Sequence, residues 1–570
     1  MPYLGSGETK KLKMAIHSVV EQLEQISDGS WFKRVSANIR GYAHWVNLIG
    51  LLGGMLAIFC LLALPASQYW NIRLPLYLVV AIWVIVRPQA ALYLLPIAVP
   101  WGSLDSINIS SASVNSADIL VFLLAASWLM SITLRPIIAP GIANNGPLDR
   151  AKFAVPGYLV LATVLLLLTM LLSMSGAFSI TSSLKELVKW LEVLIILLLG
   201  GQYLRTRRQI WTLVAIICLA ALSQAALGYI QYFFDLGPNS FVRDATLRVY
   251  GTFNQPNPFA GYINMTLPVA LALTLLAGNW KTRILAGLTS ALLAPMIVPP
   301  IWLTQSKGGS IAFAAALLCI IVVGMPRLRK LIAIGAVAAL GLVGAYLGGF
   351  IPDRFTAPLL KVVGLTDISF TTPSPQDFAT AERIAHWIAG IRMFVNHSLT
   401  GVGIGNYAEA YPQYFVTIFV NPLGHAHNYY INMAAEAGIF GLLAFFLFLL
   451  ALFVAGGRSY RAVNKRYLQV KESRTRPQPG RTETQPSQGL LNLLTNDRAL
   501  AIGLLASLIA VCVHNLVDDL YVHSMASLFA LLLVMLIRLE KIVPQQQAFS
   551  DTGCKERTTD ITLPGELPLN

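Results

Sequence analysis

Residues 429–456 read YYINMAAEAGIFGLLAFFLFLLALFVAG and carry one charged side chain, Glu436. At 1.5 Å of rise per residue, about 20 apolar residues cross a hydrocarbon core of roughly 30 Å. This run is long enough to do so, and the remainder of the chain repeats the pattern. Candidate spans fall at 46–66, 74–86, 89–101, 118–134, 154–174, 185–204, 210–230, 259–278, 284–303, 309–325, 331–350, 429–456, 500–520 and 522–540. The second and third are short enough to form a hairpin or a re-entrant pair. Only helices and closed barrels satisfy their backbone groups in lipid, and runs of this length are helical. The expected fold is an all-α, polytopic transmembrane helical bundle of about 12 to 14 spans, with a long, partly helical extracytoplasmic loop.

Composition points the same way. The 570 residues are 56% hydrophobic and 12% charged, and mean hydropathy is +0.64, outside the range of soluble domains. The net charge of +14 does not indicate nucleic acid, because Lys and Arg gather in short loops beside apolar runs. Cys60, Cys218, Cys319 and Cys512 lie in apolar runs and Cys554 in a polar tail, so neither a disulfide framework nor a CxxC site is indicated. The N-terminal region before the first span is polar or amphipathic and does not read as a cleavable signal peptide.

Basic residues set the expected orientation. Lys10, Lys11, Lys13, Lys33, Arg34 and Arg40 precede the first span. Arg205, Arg207 and Arg208 follow the sixth, Lys281 and Arg283 the eighth, and Arg327, Arg329 and Lys330 the tenth. The segment 457–499 holds nine Lys or Arg and is rich in Pro, Gln and Thr, the composition of an irregular linker. With fourteen spans all these clusters share one side, the cytoplasm, with both termini there. The chain then divides into a cytoplasmic N-terminal segment (1–45), transmembrane helices (46–350), an extracytoplasmic loop (351–428), a transmembrane helix (429–456), a cytoplasmic basic linker (457–499), transmembrane helices (500–540) and a cytoplasmic tail (541–570). The loop 351–428 has helical character around ATAERIAHWIAGIRMFVNHSL and reads as a lid over the bundle.

Five charged or titratable groups depart from the cytoplasmic pattern and project to the outer face: Arg243 and Arg248 in the loop 231–258, Lys307 in TQSKGGS, and Arg383 with His427 in the lid segment. HAHNYY (His425–Tyr430) suits an interfacial belt. It also suits a site, for Gly438 and Gly441 lie eleven and fourteen residues beyond His427, within about 40° of one helical direction. A face of small residues packs against neighbouring helices, which would turn His427 into the protein. In RVYGTFNQPNPFAGY, Gly251, Pro256 and Pro258 break any helix while Asn254, Gln255 and Asn257 supply amides beside Arg248. Ser306–Ser310 (SKGGS) reads either as a plain hairpin turn or as a helix start able to cradle an anion beside Lys307. In CVHNLVDDLYVHS, His514 and Asp518 stand four apart and are expected to satisfy one another on one helix. No nucleotide-binding glycine loop, zinc spacing or Ser-His-Asp pattern occurs.

HNYYINMAAEAGIFG, preceded in order by RVYGTFNQPNPFAGY, SKGG and ERIAHWIAGIRMFVNHSLTGVGIGNY and followed by HNLVDD, resembles the O-antigen ligases and related polymerases, polytopic bacterial glycosyltransferases. The likeness covers roughly residues 240–540. It implies transfer of a glycan from a polyprenyl pyrophosphate carrier to an acceptor hydroxyl at the outer face of the cytoplasmic membrane, without nucleotide, metal or other cofactor. His427 matches the family's essential histidine, and Arg248 and Lys307 match basic positions that hold the pyrophosphate. The family usually has arginine in place of Lys307; lysine keeps the charge and loses the two-pronged grip on phosphate oxygens. The implied catalytic residues are His427, Arg248 and Lys307, with Arg383, Asn254, Asn257, Asn428, His425 and Arg243 binding substrate.

The partners so implied are the lipid-linked glycan, its acceptor and the bilayer, with no nucleic acid. Ligase and polymerase differ in the acceptor alone. One rival is an anion (bicarbonate) transporter, which would need access from both sides; the sequence shows no inverted repeat and gathers its polar groups on one face. Another is an envelope scaffold, in which the outer cations would be dispensable.

Overall fold

The computed structural model describes residues 70–104, 107–109, 112–133, 154–243, 245–298, 302–330, 334–335, 370–373, 378–475 and 486–542. The expected span 46–66, all of the expected span 331–350 but residues 334–335, the N-terminal segment and most of the C-terminal tail lie outside the described residues. The chain runs through α1 (Trp70–Val86), α2 (Gln89–Trp101), α3 (Ser116–Thr133), α4 (Gly157–Ser173), α5 (Ile180–Ile195), α6 (Arg207–Phe233), α7 (Pro256–Leu276), α8 (Trp280–Leu293), α9 (Lys307–Gly324), α10 (Phe378–Asn396), α11 (Tyr429–Thr475), α12 (Gln488–His514) and α13 (Met525–Lys541). The only strands among the described residues form two short antiparallel pairs, Ile107–Ile109 with Ala112–Val114 and Val242–Arg243 with Thr246–Leu247. The protein is thus an all-α, polytopic membrane bundle. Helices α3, α4, α6, α7, α9, α11 and α12 are each long and apolar enough to cross a bilayer.

Polar side chains mark the helix starts. Thr206 and Gln209 cap α6 reciprocally, and Asn279, Ser306 and Ser487 each accept a backbone N–H at the first turns of α8, α9 and α12. At the centre lie α7 and α12, whose apolar windows are 78% and 72% buried where the other long spans reach at most half. Gly503 lets them meet closely: a Cβ there would sit 2.7 Å from the Val269 Cα.

Four expectations need correction. The span placed at 284–303 is a helix of only 14 residues, Trp280–Leu293, because Pro295 turns the chain into a short 3₁₀ segment. The basic segment 457–499 is helical up to Thr475 and again from Gln488, since α11 continues well past 456. Helix α12 ends at His514 rather than 520, so His514 and Asp518 do not share a helix.

The fourth concerns Gly438. Helix α11 breaks there, with φ 64° and ψ −162°, a region only glycine adopts freely. His427 lies before the helix with φ 50°, so no helical wheel joins it to Gly438 and Gly441. The break has a different use. It frees the carbonyls of Ala435 and Glu436, which accept from the Val402 and Gly403 N–H groups at 3.0 Å, while the Ile439 N–H donates to the Ser398 carbonyl at 2.8 Å. The Glu436 carboxylate accepts from Gly405 N and Tyr407 N, both at 2.9 Å. Residues 398–407 therefore dock into the opened helix backbone to backbone, and this anchors α10, which precedes them.

Candidate functional site

Two turns meet at the end of the bundle where α11 begins and α12 ends. The Asn428 side chain accepts from Tyr430 N (3.0 Å) and Ile431 N (3.1 Å), starting α11, and donates to the Leu516 carbonyl at 2.8 Å. The Tyr429 N–H donates to the Asn515 carbonyl at 2.9 Å. These bonds bring Asp518 under the histidines. Its Oδ1 lies 3.5 Å from His427 Nδ1 and 3.9 Å from His425 Nε2. Burial alone would raise the Asp518 carboxyl, but the contact with His427 and the charges of His425, His427 and His514 hold it well below the usual carboxylate range. Asp518 therefore faces the two imidazoles as an anion.

The hydrogen bonds also assign protons. The His427 backbone N–H donates to His425 Nδ1 at 3.1 Å, so neutral His425 carries its proton on Nε2, toward Asp518. Burial and the neighbouring His427 lower the His425 imidazole, against the pull of Asp518 and Asp519. His427 turns Nδ1 toward the carboxylate in a close approach without a formed hydrogen bond, and this orientation leaves Nε2 as the nitrogen free to take a proton.

Helix α10 closes over this pair. His386 packs edge-on against the His427 ring, with centroids 5.5 Å apart at 83°, and the Trp387 indole N–H donates to the His427 carbonyl at 3.2 Å. The Tyr407 hydroxyl spends its proton on the His386 carbonyl at 2.9 Å, so His386 Nδ1 must donate to that hydroxyl at 3.0 Å. Burial, with His427 and His425 nearby, lowers the His386 imidazole to about 4, so it stays neutral at pH 7.

Basic groups approach from another side. Arg248 donates from Nε to the Thr304 carbonyl at 3.0 Å and from a terminal nitrogen to Asn257 Oδ1 at 3.2 Å. Burial and the charges of Arg243 and Arg383 lower its guanidinium to about 10, still cationic at pH 7, with Asp518 opposing. Arg248 and Arg383 thus stand around one space, and the charges of Arg383 and Arg243 both act on Arg248.

That space is a pocket of about 340 Å³ lined by Arg248, Asn257, Arg383, His425 and His427 among the expected site residues. Gln255, Glu382, Asp518, Asp519 and His523 also line it. Lys307, Asn254, Arg243 and Asn428 do not. Arg243 is exposed and acts on the pocket through its charge on Arg248. Asn254 is exposed at a left-handed turn (φ 56°), and Asn428 is engaged in starting α11. Lys307 is exposed at the first residue of α9, three residues beyond the Thr304 carbonyl that Arg248 grips. His514 is buried with both ring nitrogens unpartnered among the described residues, so the expected pairing with Asp518 gives way to Asp518 with His427 and His425. HNLVDD carried that signal, but the end of α12 hid it.

The resemblance implies no metal, yet His425, His427 and Asp518 place three potential ligand atoms within 4.8 Å of one another. They are the described residues best arranged to hold a divalent ion, although Arg248 and Arg383 line the same pocket and would oppose one.

Among known proteins, residues 300–446 match the family model described as O-antigen ligase. No curated protein matches the chain. The matched stretch begins before Lys307, takes in α10 and the His427 turn, and ends inside α11 beyond the Gly438 break, so over residues 300–446 the chain is similar to the O-antigen ligase family, and the likeness includes the turn that carries the imidazoles.

Proposed function

We propose that this protein transfers a glycan from a polyprenyl pyrophosphate carrier to an acceptor hydroxyl at the outer face of the cytoplasmic membrane, both termini being cytoplasmic. The observation that carries the reading is the single pocket in which a carboxylate-oriented imidazole faces mutually repelling guanidiniums. An anion relieves that repulsion, and a pyrophosphate gains negative charge as its glycosidic bond breaks. His427 Nε2 takes the proton of the acceptor hydroxyl, the oxygen bonds to the anomeric carbon, and the carbon–oxygen bond to pyrophosphate breaks. The carrier leaves as polyprenyl pyrophosphate, its charge held by Arg248 and Arg383 in the pocket and by Arg243 and Lys307 outside its lining.

Helix direction supports the outer placement. Helices α7, α9 and α11 start at the pocket end, and α6 and α12 finish there. Lys281, Arg283, Arg327, Arg329, Lys330 and the basic end of α11 therefore gather at the far end. Arg207 pairs with Asp497 there at 2.9 Å, tying the start of α6 to α12. The positive-inside rule makes that end cytoplasmic.

Purified protein supplied with lipid-pyrophosphate-linked oligosaccharide and an acceptor provides the test: transfer with release of polyprenyl pyrophosphate is expected, and its absence refutes the reading. Chelation with EDTA should leave the rate within about twofold, since fixed cations supply the charge stabilisation. A loss restored by a divalent cation would assign the His425, His427 and Asp518 triad to a metal instead. Arg248→Lys keeps the charge but cannot hold Thr304, Asn257 and a phosphate in one plane. It should lower the transfer rate about tenfold, read as kcat/KM for the donor.

A further inference from the structure

Helix α10 offers the pocket two charges of opposite sign. Ala379, Glu382 and Arg383 line it, and His386 one turn on packs against His427, so one stripe of the helix at spacings of three and four faces the site. Neither Glu382 nor Arg383 makes an ion pair or side-chain hydrogen bond among the described residues. Consecutive helical side chains diverge by about 100°, so the two do not form an ion pair with one another. Arg383 joins Arg248 and Arg243 in one field. Burial raises the half-buried Glu382 carboxyl above the usual carboxylate range, and the charges of His427 and Arg383 oppose that rise. The pocket therefore carries both signs of charge: Arg248 and Arg383, and Glu382, Asp518 and Asp519 alongside His425 and His427. Two of these carboxylates are already engaged. Asp518 Oδ1 accepts from Asp519 N at 3.0 Å and faces both imidazoles, and Asp519 Oδ1 accepts from Tyr521 N at 2.8 Å. Glu382 is the uncommitted acceptor in the pocket beside the base.

We propose that Glu382 binds the acceptor by accepting hydrogen bonds from its sugar hydroxyls, and that the pocket thereby selects neutral or amine-bearing acceptors over phosphorylated or carboxylated ones. This rests on the transfer reading above. The acceptor must place one hydroxyl at His427 Nε2, and a second hydroxyl on the same ring donating to Glu382 fixes its orientation. An anionic acceptor meets three carboxylates at that position and is drawn to the arginines, where it competes with the donor pyrophosphate. Arg383, by contrast, serves the donor. The two neighbours on α10 thus sort the two substrates by charge.

The experiment uses the full chain in detergent or proteoliposomes, a lipid-pyrophosphate-linked oligosaccharide as donor, and two acceptors, an alkyl glucoside and its 6-phosphate. Wild-type protein should prefer the neutral glycoside on the order of tenfold or more, with the phosphate inhibiting competitively against donor. Glu382→Gln should raise the KM for the neutral acceptor about tenfold, leave the donor KM within about twofold, and narrow the discrimination. Glu382→Asp should restore part of the acceptor affinity. Transfer with an unchanged acceptor KM in Glu382→Gln, or a rise shared equally by donor and acceptor, overturns this proposal and leaves the transfer reading standing. If wild-type protein moves glycan to neither acceptor, both fall together.

Discussion

Replacing His427 with alanine will lower the rate of glycan transfer by about 10²–10⁴-fold while leaving the donor KM nearly unchanged. An acceptor hydroxyl is a weak nucleophile near pH 7, and Nε2 of His427 is the nitrogen that the Asp518 contact leaves free to take its proton. In the proposed reading the arginines hold the donor, so its affinity should survive. Single-turnover transfer with purified protein, alongside donor binding, reads both. An unimpaired rate would mean that another group takes the proton. Lost donor binding would mean that the histidine holds the substrate and does not act as a base. Asp518→Asn should reproduce part of the defect, because the amide no longer favours the imidazolium that forms during the reaction.

Gly438→Ala should have the second-largest effect, on the fold of the site. At φ 64° and ψ −162° an L side chain is strained by roughly 1–3 kcal/mol. The new Cβ would also sit 2.3 Å from the Leu399 carbonyl oxygen and 2.4 Å from its carbon, both backbone atoms that no rotamer change can move. The Val402, Gly403 and Ile439 backbone bonds would open and α10 would lose its anchor. We expect a total loss of at least about 3 kcal/mol, seen as a clear drop in melting temperature in detergent and faster proteolysis between 370 and 410. Gly457→Ala supplies the comparison: it lies within α11 with nothing within 4 Å of a new Cβ, and alanine favours a helix over glycine by about 0.5–1 kcal/mol. Equal melting temperatures for the two variants would show that the break at Gly438 is not what secures the lid.

These two residues separate what was legible from what was not. His427 stood out because an imidazole beside a long apolar run needs a reason, whichever way the chain folds. Gly438 stood out too, but for a mistaken reason. A helical wheel assumes an unbroken helix, and Gly438 breaks it so that the loop 398–407 can pair with its backbone. Asp518 shows the same difficulty. Four residues from His514, it suggested a local pair, yet α12 stops at His514 and the turn beyond it carries Asp518 to histidines some ninety positions earlier. Glu382 was hidden beside the more conspicuous Arg383, since nothing in one helix reveals that both face a pocket.

Hydrophobic run length alone determined that this chain is a helical membrane bundle, because a backbone in lipid must satisfy its own hydrogen bonds and the number of apolar residues sets how far a helix reaches. The placement of Lys and Arg likewise needed no coordinates, as it depends only on which loops carry charge. The company of His427 was decided by tertiary structure. The pocket shared by Asp518, Arg248, Glu382 and the imidazoles arises from where helices stop, where one breaks and which turns then meet, and those outcomes depend on packing between segments far apart in the chain.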